Sequence, residues 1–328
     1  MKRRDLFFAL GGAAIFPVSL HAQVTSRPRR IGILSSFSAT DSQGLALIAS
    51  LQAGLVEKGW VEARNIETLV RYANEDLDRL TVLATELVRE NVEIIVTNGT
   101  PAVQAVRKAS ATTPVVFATI GDPVGAGIAI SLAKPGRSAT GLSLIATDLA
   151  RKRLELLKEV IPKLSRVAIL WNPSNDSLVL QFKQTEEAAK VLGLTIESLP
   201  VKTADQFLSA IGTAVDAGAD ALITTSDNIQ IGQRAMIVKF ATQSRLPLVG
   251  EFREIAEAGA VLSYGPNRSD MWRRAASYVD KILNGTKPAE IPIEQPTRFE
   301  LVINIKAANT LGLKIDPVLL ARADEVIE

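Results

Sequence analysis

The chain has no cysteine, and its one histidine is His21. Once the segment that carries His21 is removed, the working chain holds neither thiol nor imidazole. That excludes Ser-His-Asp and Cys-His catalysis, zinc on its usual ligands, disulfides and thiol redox chemistry. Absence of cysteine is compatible with any compartment. Surplus charge is missing too: 37 Lys and Arg stand against 35 Asp and Glu, a net charge of +2. Lys2, Arg3, Arg4 and Asp5 carry all of it, so the chain from position 23 onward is formally neutral. A neutral surface without a basic run gathers neither phosphates nor anionic lipid, and no nucleic-acid partner is expected. No later apolar run approaches the roughly 18 residues of a membrane-spanning helix.

What is present is ordinary for a globular protein, with 47% hydrophobic and 22% charged residues. A length of 328 residues suits two domains, since single cores stop growing beyond about 250–300 residues. The first 22 residues read as a signal peptide: a basic start, an apolar stretch over 6–16, and the small Ala22 before Gln23. Eleven residues rise only about 16 Å as a helix, too short to span a bilayer. Arg3-Arg4 followed by Asp5, Leu6 and Phe7 resembles a twin-arginine export signal, although every secretory signal has a basic start. Cleavage near Ala22 and a freely diffusing periplasmic product are expected.

From Ile31 the chain alternates short apolar runs with longer stretches of helical periodicity, the signature of βα units on a parallel sheet. Strands are predicted at 31–34, 67–72, 93–97 and 115–119, with helices at 42–58, 76–90 and 101–109. The second half replays the pattern, with strands at 166–171, 195–201, 219–224 and 247–250 and helices at 176–192, 204–217 and 231–243. Runs such as VEIIV and RVAIL are apolar on both faces, which implies burial under helices on both sides. The fold class is therefore α/β, with two doubly wound parallel-sheet lobes. Extended segments at 139–145, 260–264 and 297–303 do not fit the repeat and read as three crossover strands between the lobes. A helix over 269–284, capped by Ser269 or Asn267 and stopped by Gly285, returns to the first lobe. The expected division is 29–140 plus 264–292 for the N-terminal lobe and 141–263 plus 293–328 for the C-terminal lobe. The tail beyond Asn304 reads as a short helix plus a final docked helix.

The segment TNGTPAVQA is the most informative motif. Thr100 suits a cap, Pro101 suits the first helical position, and Gly99 lets a ligand approach backbone N–H groups at the positive end of the helix dipole. The bland alternative is a capped helix with no ligand. GDPVGAG, residues 121–127, lacks the third glycine of a dinucleotide loop and reads as a turn, with Asp122 free to accept an ammonium. The fragments SLAK, SDN and KTA mimic a penicillin-binding enzyme, but Pro135 discourages the required helix, and KTA lacks its Gly and precedes SDN. Asp227 ends a strand and can pair with a ligand ammonium or simply cap the next helix. Asn172 and Asn175 contact ligand or form an Asx turn and cap. Phe37, Trp171, Phe252 and Tyr264 stand at strand ends, where aromatics line apolar ligand walls or belong to the core. The acidic pairs Glu186-Glu187 and Asp324-Glu325 read as solvated helix faces.

Several strings taken in order resemble the exported ABC-transporter substrate-binding proteins whose family includes tryptophan- and tyrosine-binding components: MKRRDLF, TNGTPAVQA, VVFATIGDPVGAG, SLAKPG with ATGLS, ILWNP, TTSDN and GEFREIAEAGAVLSYGPN. The resemblance implies a type I periplasmic-binding-protein fold that closes on a small ligand between two lobes. It implies cleft positions at Ser36, Phe37, Asn98, Gly99, Thr100, Asp122, Thr147, Asn172, Asn175, Asp227, Phe252 and Tyr264, with Trp171 beside them. The resulting expectation is a monomeric receptor that hands a carboxylate-bearing ligand to an ABC permease of the inner membrane. The ligand would be an amino acid, aromatic or not, or an aromatic acid, with no cofactor, metal or catalysis. Three alternatives share these features: an exported sensor of the same fold without transport, a metal-dependent exported enzyme, and the core of a sugar-responsive repressor. The enzyme would need clustered acidic strand ends, which are not found, and the repressor a DNA-binding module where this chain carries an export signal.

Overall fold

The computed structural model describes residues 27–328; His21 and the segment expected to be an export signal, with its expected cleavage near Ala22, lie outside them. The first half runs β1 (Arg29–Ser35), α1 (Ser42–Glu57), β2 (Ile66–Tyr72), α2 (Arg79–Arg89), β3 (Ile94–Asn98), α3 (Thr100–Ala109), β4 (Val115–Ile120) and β5 (Ala139–Ser143). Then follow α4 (Ala146–Val160), β6 (Arg166–Trp171), α5 (Asp176–Val191), β7 (Thr195–Pro200), α6 (Phe207–Asp216), β8 (Ala221–Thr224), α7 (Asn228–Gly232), α8 (Arg234–Gln243), β9 (Leu248–Gly250) and α9 (Arg253–Glu257). The chain ends with β10 (Leu262–Gly265), α10 (Arg268–Leu283), β11 (Glu300–Asn304), α11 (Ile305–Thr310), α12 (Pro317–Leu320) and β12 (Glu325–Ile327).

Two sheets result, with strand orders β2-β1-β3-β4-β5 and β12-β11-β10-β9-β8-β6-β7. All ladders are parallel except β10 with β11. The apolar runs are buried on both faces as their composition demands. Ile31, Ile33 and Val96 pack under α1 and α10, while Leu34, Ile95 and Phe117 pack under α2 and α3. In the second lobe Val167 and Ile169 face α4 and α5, and Ala168 and Leu170 face α6 and α8. Each fully buried aliphatic chain contributes roughly 2 kcal/mol.

The chain passes between lobes three times. β5 closes the first sheet and feeds α4 of the second lobe. β10 belongs to the second sheet and feeds α10, whose Met271, Trp272 and Val279 complete the first lobe's core. The third passage runs back to β11 and is tied to the first, since Ser143 N donates to Glu294 O (2.8 Å) and Glu294 N to Gly141 O (3.1 Å). The three expected crossover segments are thus strands that abut the passages: β5 in the first sheet, β10 and β11 in the second.

Three sequence expectations need correction. α4 was not anticipated, because it starts at Ile145 in the left-handed region (φ 45°) with no capping side chain, so the usual start signal is missing. The helix expected over 231–243 is two pieces, α7 and α8, and α7 starts at Asp227. The tail forms α11 and then α12, docked through the buried Leu319 and only four residues long, and closes with a strand not anticipated, β12 parallel to β11. Asp324 and Glu325 accordingly do not lie on a solvated helix face: Asp324 Oδ2 accepts from Leu301 N (2.8 Å) and Glu325 pairs with Arg253 (2.5 Å).

Candidate functional site

The carboxyl ends of both sheets face each other, and that is where open α/β sheets bind ligands. In the first lobe, the register between β3 and β4 shifts after Thr97, which re-aims Asn98. Gly99 then takes φ 79°, a conformation that favours glycine, and occupies the cap position expected for Thr100. It has no side chain to offer, so no side chain caps the start of α3. Thr100 instead becomes the first helical residue, and its Oγ1 reaches across to Ser177 Oγ in the second lobe (2.7 Å).

Two helix starts of the second lobe oppose α3. Asn175 caps α5 by accepting from Ser177 N (3.2 Å), and Asp227 caps α7 by accepting from Ile229 N (3.0 Å) and Gln230 N (3.3 Å). The lobes touch directly: Asn98 Nδ2 donates to Asn228 Oδ1 (2.8 Å), Asp122 N donates to Ser177 Oγ (3.2 Å), and Arg234 pairs with Asp41 (2.9 Å). Between them lies a cavity of about 20 Å³, lined by Gly99, Thr100 and Gly121 of one lobe and by Asn175, Ser177, Ser226, Asn228 and Phe252 of the other. That volume suits about one water, so the arrangement is a closed one that must open to admit anything larger.

Arg268, the first residue of α10, also lines this cavity and is buried. Its guanidinium lies over the rings of Phe37 (5.3 Å) and Phe252 (4.9 Å), one from each lobe. Beneath the cleft a second buried group ties the passages together. Arg153 Nε donates to Tyr264 O (2.9 Å), and its Nη1 lies 3.2 Å from Glu251, which also accepts from Gln181 Nε2. Burial pushes the Glu251 carboxyl up and the Arg153 guanidinium down, and each is held back by the other's charge.

The pattern of the family described as ABC transporter substrate binding protein matches residues 36–327. The chain belongs to that family. It is 25% identical over 275 residues to the tyrosine-binding protein of Clostridioides difficile (strain R20291), covering 83% of this chain and 79% of the relative. Among solved structures it resembles a conserved domain protein from Vibrio cholerae (TM-score 0.85, 27% identity, 92% of this chain and 100% of that one). It also resembles an ABC domain from Streptococcus pneumonia in complex with L-Trp (TM-score 0.84, 26% identity, 92% and 100%). The architecture is the type I periplasmic-binding-protein fold, built for ligand binding rather than catalysis. Proteins of this family bind small ligands, partner with ABC permeases and are typically exported.

In this substrate-binding protein the residues singled out from the sequence separate into groups. Gly99, Thr100, Asn175 and Phe252 line the central cavity. Ser36, Phe37 and Asn98 are buried next to it, and Ser36 Oγ and Asn98 Oδ1 have no hydrogen-bond partner among the described residues. Asp122 and Thr147 line a separate open recess of about 500 Å³ beside the first passage. Asp122 Oδ1 accepts from Val124 N (3.1 Å) and Gly125 N (2.8 Å) of its own turn, which leaves Oδ2 for any further partner. Asn172 is fully buried and serves Asp227 and the backbone of Ser174. Trp171 stacks on Phe182 (4.5 Å between centroids) and Tyr264 packs toward Phe299 (6.0 Å), so neither is brought to the cavity. Sequence reasoning missed Ser177 and Arg268. Arg268 left one trace: a cation in the first turn of a helix opposes the helix dipole and calls for another reason to be there.

Asp227 carries a pH prediction. Burial pushes its carboxyl up to about 6, against the hydrogen bonds from Asn172, Gln230 and Ile229. The folded state therefore holds this proton more tightly than the unfolded chain, whose value is near 3.8. Stability from this group falls as pH rises from about 4 to about 6 and stays lower above, by roughly 3 kcal/mol. Asp227→Asn keeps a capping oxygen and removes the charge, but loses about 1 kcal/mol with the bond from Asn172. A gain of about 1–2 kcal/mol at pH 7 and a flatter profile below pH 6 are expected. Urea midpoints measured across that range check it; a variant less stable than wild type at pH 7 contradicts the assignment.

Proposed function

We propose that this protein is the extracytoplasmic receptor of an ABC importer, closing on a small carboxylate-bearing ligand, an aromatic amino acid or aromatic acid. The observation that carries this reading is the cavity between two lobes at the uncapped start of α3, where backbone N–H groups and the helix dipole favour an anion. Asp227, adjacent in the chain to the lining residues Ser226 and Asn228, would face the ammonium, whose charge would draw its carboxyl back to the ionised form. Phe37 and Phe252 supply apolar faces from opposite lobes. The aromatic class is supported by relatives whose names record tyrosine binding and a complex with L-Trp.

Closure follows from linkage. A ligand that touches both lobes only when they meet binds the closed state more tightly and shifts the hinge equilibrium toward it. The neutral composition past position 23 favours a small-molecule partner over nucleic acid, and the basic, apolar N-terminus supports export to the periplasm, where the receptor would act as a monomer docking on an inner-membrane permease. Calorimetry on protein unfolded, dialysed and refolded to remove bound solutes tests the ligand class. L-Tryptophan, L-tyrosine or an aromatic acid is expected to bind well below millimolar; no binding by any of them at about 1 mM removes it.

A further inference from the structure

Arg268 is a buried cation without a complete set of partners. Its Nη1 has no hydrogen bond among the described residues, and the nearest carboxylate oxygen, Glu254 Oε1, stands 3.5 Å away. Glu254 Oε2 is likewise unpaired. A buried guanidinium is costly unless its N–H groups are satisfied, and this one lines the cavity at the start of α3. Aromatic rings of both lobes, Phe37 and Phe252, lie against it, so closure brings the second ring to the guanidinium. Guanidinium groups bind carboxylates through paired, charge-assisted hydrogen bonds that an ammonium cannot match.

We infer that Arg268 is the anchor for the ligand's carboxylate, with the uncapped start of α3 as the second side of the same anion site, and that it sets a preference for acids over the corresponding amines. The inference rests on the receptor reading above and adds the residue that decides it. Capture then works in sequence. An open cleft presents Arg268 with Phe37 on its own lobe. The carboxylate binds, and Phe252 swings in with the second lobe to cover the guanidinium and exclude water. The dry site strengthens the ion pair that triggered closure.

The test uses refolded, solute-free wild type, Arg268→Gln and Arg268→Lys, each titrated with L-tryptophan, L-tyrosine and their carboxylate-free counterparts tryptamine and tyramine. Arg268→Gln is expected to weaken the amino acids by about 10- to 100-fold and leave the amines unchanged. Arg268→Lys, which keeps the charge beside Glu254, is expected to lose less and serves alone should the glutamine variant not fold. Equal affinity for L-tryptophan in wild type and variant overturns the inference, as does an equal loss for acid and amine, the mark of a structural role. Wild type that binds none of the amino acids instead removes the ligand class itself, a distinguishable failure.

Discussion

Gly121→Val is expected to weaken the unliganded contact between the lobes by on the order of 100-fold while leaving the fold intact. Gly121 follows β4 in the first lobe, and a Cβ placed there would stand 2.9 Å from Ser177 Cβ and 3.3 Å from Ser177 Oγ in the second. Its backbone does not need glycine, so the substitution strains neither lobe by itself. The valine acts as a wedge. To relieve it the lobes must retreat, which breaks the Thr100–Ser177 and Asp122–Ser177 hydrogen bonds at the cavity wall. Two such bonds, at about 1 kcal/mol each, plus partial loss of cleft contacts amount to roughly 2–3 kcal/mol taken from the closed state. Small-angle scattering of the ligand-free protein provides the check. The variant should be more expanded than wild type and melt near the wild-type temperature; unchanged compaction would refute these hydrogen bonds as what holds the lobes together.

Arg153→Met is expected to destabilise the protein by about 3–5 kcal/mol, the largest stability effect anticipated here. Arg153 and Glu251 have side chains 2% and 1% exposed, so the substitution leaves a buried carboxylate held by Gln181 and Ser226 with no compensating charge. It also frees Tyr264 O and Ala146 O, which Arg153 holds at the ends of the second and first passages. The double variant Arg153→Met/Glu251→Leu should recover most of the loss, because an apolar pair of similar volume carries no desolvation cost. Denaturant midpoints of the single and double variants form the cycle. A single variant within about 1 kcal/mol of wild type would show that the pair is not what holds the passages together.

How far the sequence could be read depended on whether the deciding interactions were local. The runs VEIIV and RVAIL identify β3 and β6 because a strand covered on both faces must be apolar at consecutive positions. TNGTP marks the start of α3 and its exposure to a ligand, yet Gly99 takes the cap position favoured for Thr100, since the register shift after Thr97 turns the chain one residue early. α4 escaped because its start at Ile145 carries no capping side chain, and β12 because three residues acquire strand geometry only by finding the open edge of β11. Trp171 and Tyr264 looked like cleft aromatics by position. Whether a strand-end ring points to the cleft or to a neighbour such as Phe182 is a matter of packing.

By itself the sequence determined the βα alternation, the two-lobe plan and a chemistry without thiol, and past position 21 without imidazole, because these follow from residue types and short-range periodicity. Only the tertiary structure decided which polar groups meet at the cleft. Thr100 faces Ser177, Asn98 faces Asn228, and Arg268 lies between Phe37 and Phe252. These partners are far apart along the chain, and each stands on a lobe whose position is set by the three passages. No local propensity encodes such a contact; it exists only once both sheets have formed and closed on each other.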